Sequence, residues 1–188
     1  MNGARWESGA ESLLVARGAD RIDHPGGTLL EHVRRVSAML ADWGASERLR
    51  AAGFCHACYG TAGFDAVLLD LSERDLLVEP IGSDAESLVY IYGSCDRKLV
   101  YPRFGEPGRL EFTDRFTAVT KSISERDAAD LVELTAANEL DIAKISSGFR
   151  AQLGKRLMDL FDGAQAQGRL SERAWDDAVK ILCEPEKV

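Results

Sequence analysis

The segment from Thr28 to Gly44 constrains the fold most strongly, because it carries both the start signal and the apolar stripe of a long helix. Thr28 and Glu31 have the spacing of a capping box, in which the two side chains satisfy free amides at a helix N-terminus. The apolar residues that follow recur at intervals of three and four: Leu29, Leu30, Val33, Val36, Leu40 and Trp43. The sequence therefore predicts an amphipathic helix that ends at Gly44.

Start and stop signals predict helices over most of the remaining chain. Ser46, Ser83 and Ser124 are candidate N-caps. The expected helices are 7–17, 46–59, 72–79, 83–93, one from 124 onwards, and two in the tail on either side of Gly168. Residues 98–116 combine β-branched and aromatic residues around the turn GEPG, which predicts a short β-hairpin there. The prediction is an all-α fold with one domain over residues 1–188.

Composition excludes several classes of function. The chain has a net charge of −8 with its acidic residues spread along the sequence, so we expect no nucleic-acid partner. No apolar run approaches the roughly 20 residues that cross a bilayer, so we expect no membrane partner. The N-terminus has no secretory signal pattern, which favours a cytoplasmic protein. The pattern makes no prediction of the oligomeric state.

The three histidines all lie within residues 24–56, and His56 sits in the string AGFCHACYGT. Cys55 and Cys58 form a CxxC pair, but a structural zinc site needs a second pair, so these cysteines are expected to be buried packing residues. Two successive helices joined by a short loop pack antiparallel. His32, near the start of one helix, should then lie level with His56, near the end of the next.

Three segments, HPGGTLLEHVRRVSAML, AGFCHACYGT and LTAANELDIA, resemble in order and spacing the motifs of HD-superfamily metal-dependent phosphohydrolases. The likeness is nearest to the hydrolase domain of (p)ppGpp synthetase/hydrolases and covers residues 19–145. It implies an HD-like helical bundle in which His32 and His56 are metal ligands. It also implies that Asn138 stands in place of the last metal-binding Asp.

The chain departs from this family at several positions. Ala57 occupies the place of a metal-binding Asp, and Gly60 and Thr61 fall where family members have Glu-Asp. Asp141, one helical turn after Asn138, is the candidate carboxylate that would complete the ligand set. Two imidazoles and an amide oxygen suit Zn, Fe or Ni better than Mn or Mg. We therefore expect one divalent transition metal (Zn, Fe, Ni or Mn), with a site that holds no metal as the alternative.

The resemblance implies an enzyme that acts on a small anionic molecule, such as a nucleotide or phosphate ester. Beside the metal ligands, the candidate catalytic residues are His24, Tyr59, Thr61 and Arg97, where His24 or Arg97 would stabilise an anion. Without a metal, the histidines would serve as general acid and base in an isomerisation, cyclisation or elimination. The alternative is a non-catalytic ligand- or partner-binding module. An iron-dependent oxygenase ranks last, because it normally needs more carboxylate and histidine ligands.

Overall fold

The computed structural model describes residues 5–183. Its α-helices are α1 (Arg5–Ala16), α2 (Leu29–Asp42), α3 (Glu47–Cys55), α4 (Arg74–Ser94), α5 (Arg97–Val100), α6 (Glu125–Ile145), α7 (Ser147–Ala166) and α8 (Glu172–Cys183). Two antiparallel pairs of strands complete it: β1 (Asp23–His24) with β2 (Gly27–Thr28), and β3 (Glu111–Asp114) with β4 (Val119–Ser122). The predicted all-α class is confirmed. No helix within residues 5–183 is long and apolar enough to span a membrane.

Three helices begin at predicted caps, whereas Ser83, the fourth predicted cap, lies inside α4. The Thr28 side chain accepts from the Glu31 amide while the Glu31 side chain accepts from the Thr28 amide, so the capping box is present. Ser46 and Ser124 likewise cap α3 and α6. The expected helices 72–79 and 83–93 form one element, α4, whose interruption at Gly82 has a φ of 79°.

The predicted hairpin at residues 98–116 is displaced along the chain. Residues 97–103 form α5 and a 3₁₀ turn, because the Asp96 side chain accepts from the amides of Lys98 and Leu99 and so caps a helix. The hairpin instead pairs Glu111–Asp114 with Val119–Ser122. The aromatic residues of the KLVYPRF segment therefore belong to helical turns.

Helix α6 lies at the centre and packs against α2, α7 and α8, while α3 packs against α2 and α4. The α2–α3 contact is close because Gly53 has no side chain: a Cβ there would overlap Leu40. A second close contact joins Gly105, in the loop after α5, to Gly163 of α7. A Cβ on Gly105 would lie 3.0 Å from the Gly163 Cα. These contacts bring α2, α5, α6 and α7 around one cavity.

Candidate functional site

A cavity of about 780 Å³ lies between the start of α2, the turn after α3, α5, α6 and α7. Six of the eight predicted site residues border it, and Tyr59 and Asp141 do not. The polar residues around one end of the cavity are His24, His32, His56, Thr61, Arg97, Asn138 and Glu139. Residues far apart in the chain therefore meet at one cavity.

The three imidazoles form a contact series. The ring centroids of His24 and His32 are 3.9 Å apart in a stacked arrangement, and those of His32 and His56 are 5.2 Å apart, edge to face. His56 makes a further edge-to-face contact with Tyr92 at 5.2 Å. The expected convergence of His32 and His56 from neighbouring helices is thus present.

The position of His56 is set by the end of α3. The residue is the C-cap, and its Nδ1 donates to the Gly53 carbonyl oxygen at 2.7 Å. With the proton held at Nδ1, the neutral ring carries its lone pair at Nε2. Within residues 5–183, no group hydrogen-bonds to this nitrogen. Burial first, and then the nearby His32, lower the pKa of His56 to about 3.

A buried carboxylate, that of Asp141, fixes the orientation of His32. Its Nδ1 donates to Asp141 Oδ2 at 2.7 Å, and Arg35 donates to both Asp141 oxygens, at 2.8 and 3.0 Å. Burial opposes ionisation of Asp141, but the hydrogen bonds from His32 and Arg35 outweigh it and lower the carboxyl pKa. An ionised carboxylate behind an imidazole fixes the orientation of the ring, as it does in catalytic dyads.

The other nitrogen of His32 faces Asn138. His32 Nε2 lies 3.1 Å from Asn138 Oδ1, while Asn138 Nδ2 donates to Glu139 Oε1 at 3.2 Å. In the protonated form, His32 would donate one N–H to Asp141 and the other to Asn138 Oδ1. In the neutral form with its proton at Nδ1, Nε2 can only accept, so the Asn138 amide must be rotated by 180° to donate to it. In either case both nitrogens of His32 are occupied by protein groups.

His24 lies on the short β1–β2 ribbon and covers His32. Burial first, and then the neighbouring His32, lower the pKa of His24 to about 4, so the ring is neutral at pH 7. Its Nδ1 is buried and makes no hydrogen bond of good geometry within residues 5–183, although the Pro25 backbone carbonyl lies close to the ring and favours its protonated form. The cavity therefore contains two neutral imidazoles, His24 and His56, that retain unused hydrogen-bonding atoms.

Arg97 lines the same cavity and is close enough to His56 to lower the pKa of that ring. Its side chain is 19% exposed, and it donates to Glu139 Oε1 and to the Tyr92 hydroxyl, each at 3.1 Å. Burial, opposed by Arg97 and Asn138, raises the pKa of Glu139. Lys98 and Arg156 add two cations to the cavity lining, and within the described residues neither has an ion-pair partner. Two carboxylates, Glu139 and Asp159, also line the cavity, so three cations face two acidic groups, and this excess of positive charge favours an anionic ligand.

Three of the predicted residues take unexpected places. The predicted catalytic role of Tyr59 is not supported, because its hydroxyl donates to the buried Glu86 at 2.8 Å, away from the cavity. Since α3 ends at Cys55, the following turn directs Tyr59 towards α4. Asp141 orients His32 from behind instead of facing the cavity. Thr61 borders the cavity, but its backbone pairs with Phe64 in a tight turn.

The first half of the chain is similar to one known family. Residues 13–97 match the family described as Domain of unknown function (DUF6817). This range is less than half of the 188 residues and includes the three histidines and Arg97, but not Asn138. No curated protein and no solved structure matches the chain.

The arrangement does not fit a resident divalent metal ion. Within residues 5–183, no group of three His, Cys, Asp or Glu side chains is placed to hold one. His32 is occupied on both sides, and Asp141 is occupied by His32 and Arg35. Ala57 offers no ligand, and the nearby charge is the guanidinium of Arg97, which itself helps to lower the pKa of His56. The predicted cofactor stays a prediction that this donor set does not support.

Sequence reasoning missed two parts of the site. Glu139, the partner of Arg97, directly follows Asn138 and could have been found from that position. The second part is an apolar stripe on α7 with spacings of four, four and three residues: Phe149, Leu153, Leu157 and Leu160. Its periodicity was visible in the sequence, but a helical stripe normally predicts contact with protein, and here it borders a cavity.

Proposed function

We propose that this chain is an enzyme with an HD-like scaffold that binds a small molecule through an anionic group, phosphate or carboxylate, and acts on it without a resident metal ion. The observation that carries the proposal is the shared cavity of His24, His32, His56 and Arg97. Its volume of about 780 Å³ is in the range of small-molecule sites. The HD likeness rests on motif order and spacing, and supports the scaffold part of the proposal.

Arg97 is the proposed anchor of the anionic group. A guanidinium has five N–H donors in a planar fork, and the contacts with Glu139 and Tyr92 use only part of them. Such a fork suits the paired oxygens of a carboxylate or phosphate. Lys98 and Arg156 line the same cavity and add to the attraction.

The histidines supply the proposed chemistry. The Nε2 lone pair of His56 is available as a proton acceptor. His32, oriented by Asp141, can act as the proton donor only through Nε2, once a ligand replaces Asn138 as the partner of that nitrogen. An anion bound at Arg97 adds negative charge near His56, which favours the protonated ring and strengthens it as a base. This arrangement suits proton transfer in an isomerisation, cyclisation or elimination better than metal-assisted hydrolysis.

A non-catalytic ligand-binding module is the second candidate. The low pKa values of His24 and His56, about 4 and 3, favour it, because rings that hold a proton so weakly are poor bases until a ligand raises those values. Both candidates require the anion at Arg97. They differ in whether the bound molecule is changed.

The test combines metal analysis with a search for turnover. The purified protein is expected to contain much less than one equivalent of Zn, Fe, Ni or Mn, and chelation should leave its properties unchanged. Phosphate- and carboxylate-bearing metabolites are then incubated with it in D₂O and followed by NMR for deuterium uptake or rearrangement. His56→Asn keeps a donor for the Gly53 carbonyl but removes Nε2, so turnover should fall by about 100-fold or more.

Two results would count against this enzyme. If the wild type contained one equivalent of metal and His56→Asn did not, the hypothesis of a metal-dependent hydrolase would be favoured instead. Binding that depends on Arg97, together with no turnover of any compound, would favour the second candidate.

A further inference from the structure

Four apolar residues of one helix line part of the cavity. Phe149, Leu153, Leu157 and Leu160 lie on one face of α7 and line the cavity. Leu157 is buried, whereas the other three are only partly buried. At a rise of about 1.5 Å per residue, the stripe is about 16 Å long.

The apolar wall continues onto neighbouring elements. Leu29 at the start of α2 and Ile142 of α6 border the same space, and Phe64 contacts the edge of His24 with a ring-centroid distance of 5.4 Å. Leu29 belongs to the buried core and Phe64 packs against it, so the cavity borders the edge of the core. An apolar group placed there would leave water for an apolar environment, which is favourable.

The apolar wall and the polar end belong to one continuous cavity. Arg97 and the histidines come from α5 and the elements before it, and the apolar stripe comes from α7, which also contributes Arg156 and Asp159 to the lining. Lys98 of α5 and Arg156 of α7 are the cations that lie outside the histidine cluster. A small hydrophilic anion such as inorganic phosphate would contact the polar end and leave the α7 wall uncovered.

We propose that the ligand of this cavity is an amphiphile, a molecule whose phosphate or carboxylate lies at Arg97 and whose alkyl or aryl body lies along α7. The inference rests on the proposed function for its anionic part, and on the α7 wall for its apolar part. It narrows the substrate class from small anions in general to anions that carry a substantial apolar group.

The probes are a series of alkyl phosphates. Inorganic phosphate, ethyl, butyl and hexyl phosphate, and 1-hexanol without the phosphate, are titrated into the 188-residue chain by calorimetry. Each buried methylene is expected to increase the affinity about threefold, so hexyl phosphate should bind at least 30-fold more tightly than ethyl phosphate. Hexanol should bind more weakly than hexyl phosphate by at least tenfold, because it lacks the charge.

Matched variants separate the two parts of the cavity. Leu160→Gln, on the partly buried α7 wall, should reduce the chain-length dependence while leaving ethyl phosphate binding within about twofold. Leu76→Gln is the control, because Leu76 is 42% exposed on α4 and does not line the cavity. Arg97→Met should reduce the affinity for every phosphate and leave that for hexanol unchanged.

Three results of these titrations would contradict one or both proposals, and a fourth would support the amphiphile. Phosphate binding that depends on Arg97 but not on chain length would overturn the amphiphile and leave the proposed function intact. Equal binding of hexanol and hexyl phosphate, unaffected by Arg97→Met, would overturn the anionic part of both proposals. The absence of binding by any phosphate would also overturn both proposals. A chain-length dependence that is removed by Leu160→Gln but not by Leu76→Gln would support the amphiphile.

Discussion

Arg48 and Arg97 are among the arginines that lie largely inside the protein, and their surroundings differ. Arg48 has a side chain that is 7% exposed and forms ion pairs with Asp84, Asp127 and Asp130. Arg97 has one carboxylate partner, Glu139, and borders a cavity. Three carboxylates around Arg48 leave its guanidinium no capacity for a ligand, whereas Arg97 retains donors.

Burial alone does not identify a binding residue. Both cations have lost water, but only the charge of Arg48 is more than balanced by protein carboxylates. For Arg97, the guanidinium also lies near the rings of Tyr92 and Tyr101, at 5.4 and 5.6 Å from their centroids. Aromatic faces stabilise a cation without occupying its donors, so Arg97 stays available to an anion.

The largest effect is expected from Arg48→Met. This change leaves three carboxylates close together without their common cation, and breaking a buried ion pair costs about 4 kcal/mol of unfolding free energy. Urea denaturation measures it, with Arg126→Met as the control, since Arg126 is 59% exposed and pairs with Asp84 alone. Hexyl phosphate binding should be unchanged. A loss of unfolding free energy below about 1 kcal/mol would contradict the structural role of Arg48.

Arg97→Met should act mainly on binding. Loss of charge-assisted hydrogen bonds is expected to weaken hexyl phosphate binding by about 30-fold, equivalent to about 2 kcal/mol. The single variant also leaves the buried Glu139 without its cation, so Arg97→Met with Glu139→Gln is the matched double variant. The double variant should recover stability but not binding. If it recovered both, Arg97 would be as structural as Arg48.

Asp141→Asn tests a third arginine, Arg35. Its partner, Asp141, also accepts a hydrogen bond from His32. Asparagine retains one acceptor but has no charge, so we expect a loss of about 1.5 kcal/mol of unfolding free energy. Turnover of any substrate should fall more than ligand affinity does, because the orientation of His32 is disturbed. Equal losses in both quantities would indicate that Asp141 only stabilises the fold.

The smallest predicted effect is a pH dependence that belongs to His56. Its pKa is about 3 in the folded protein, below the ordinary value near 6.5, so the unfolded chain binds the extra proton first. The stability contribution is full above pH 6.5 and is lost as the pH falls towards 3. Between pH 7 and 5.5 the wild type should lose about 1 kcal/mol more than His56→Asn. Parallel pH profiles would contradict this prediction.

The sequence specified the helical part of this molecule well, because its signals are local. Thr28 and Glu31 cap α2 as expected, and an antiparallel α2–α3 pair is enough to bring His32 next to His56. The hairpin was misplaced, since the Asp96 cap made the following residues helical despite their aromatic content.

Parts of the site that depend on long-range packing were not predictable in the same way. Tyr59 lies only three residues after His56, but the turn that ends α3 directs the two side chains to different partners. Asp141 was expected to bind a metal because it follows Asn138 by one turn, and only the fold reveals Arg35 on its other side. Nor does spacing along α7 tell whether Leu153 and Leu160 meet protein or a cavity.

The contact between Gly105 and Gly163 has a consequence for how the cavity could change during evolution or by design. A Cβ on Gly163 would lie 3.1 Å from the Gly105 Cα, so a methyl group there would shift the loop after α5 from α7 by a few tenths of an ångström. Both glycines line the cavity. Gly163→Ala would therefore be a fine adjustment of the chamber, made without altering any histidine or arginine.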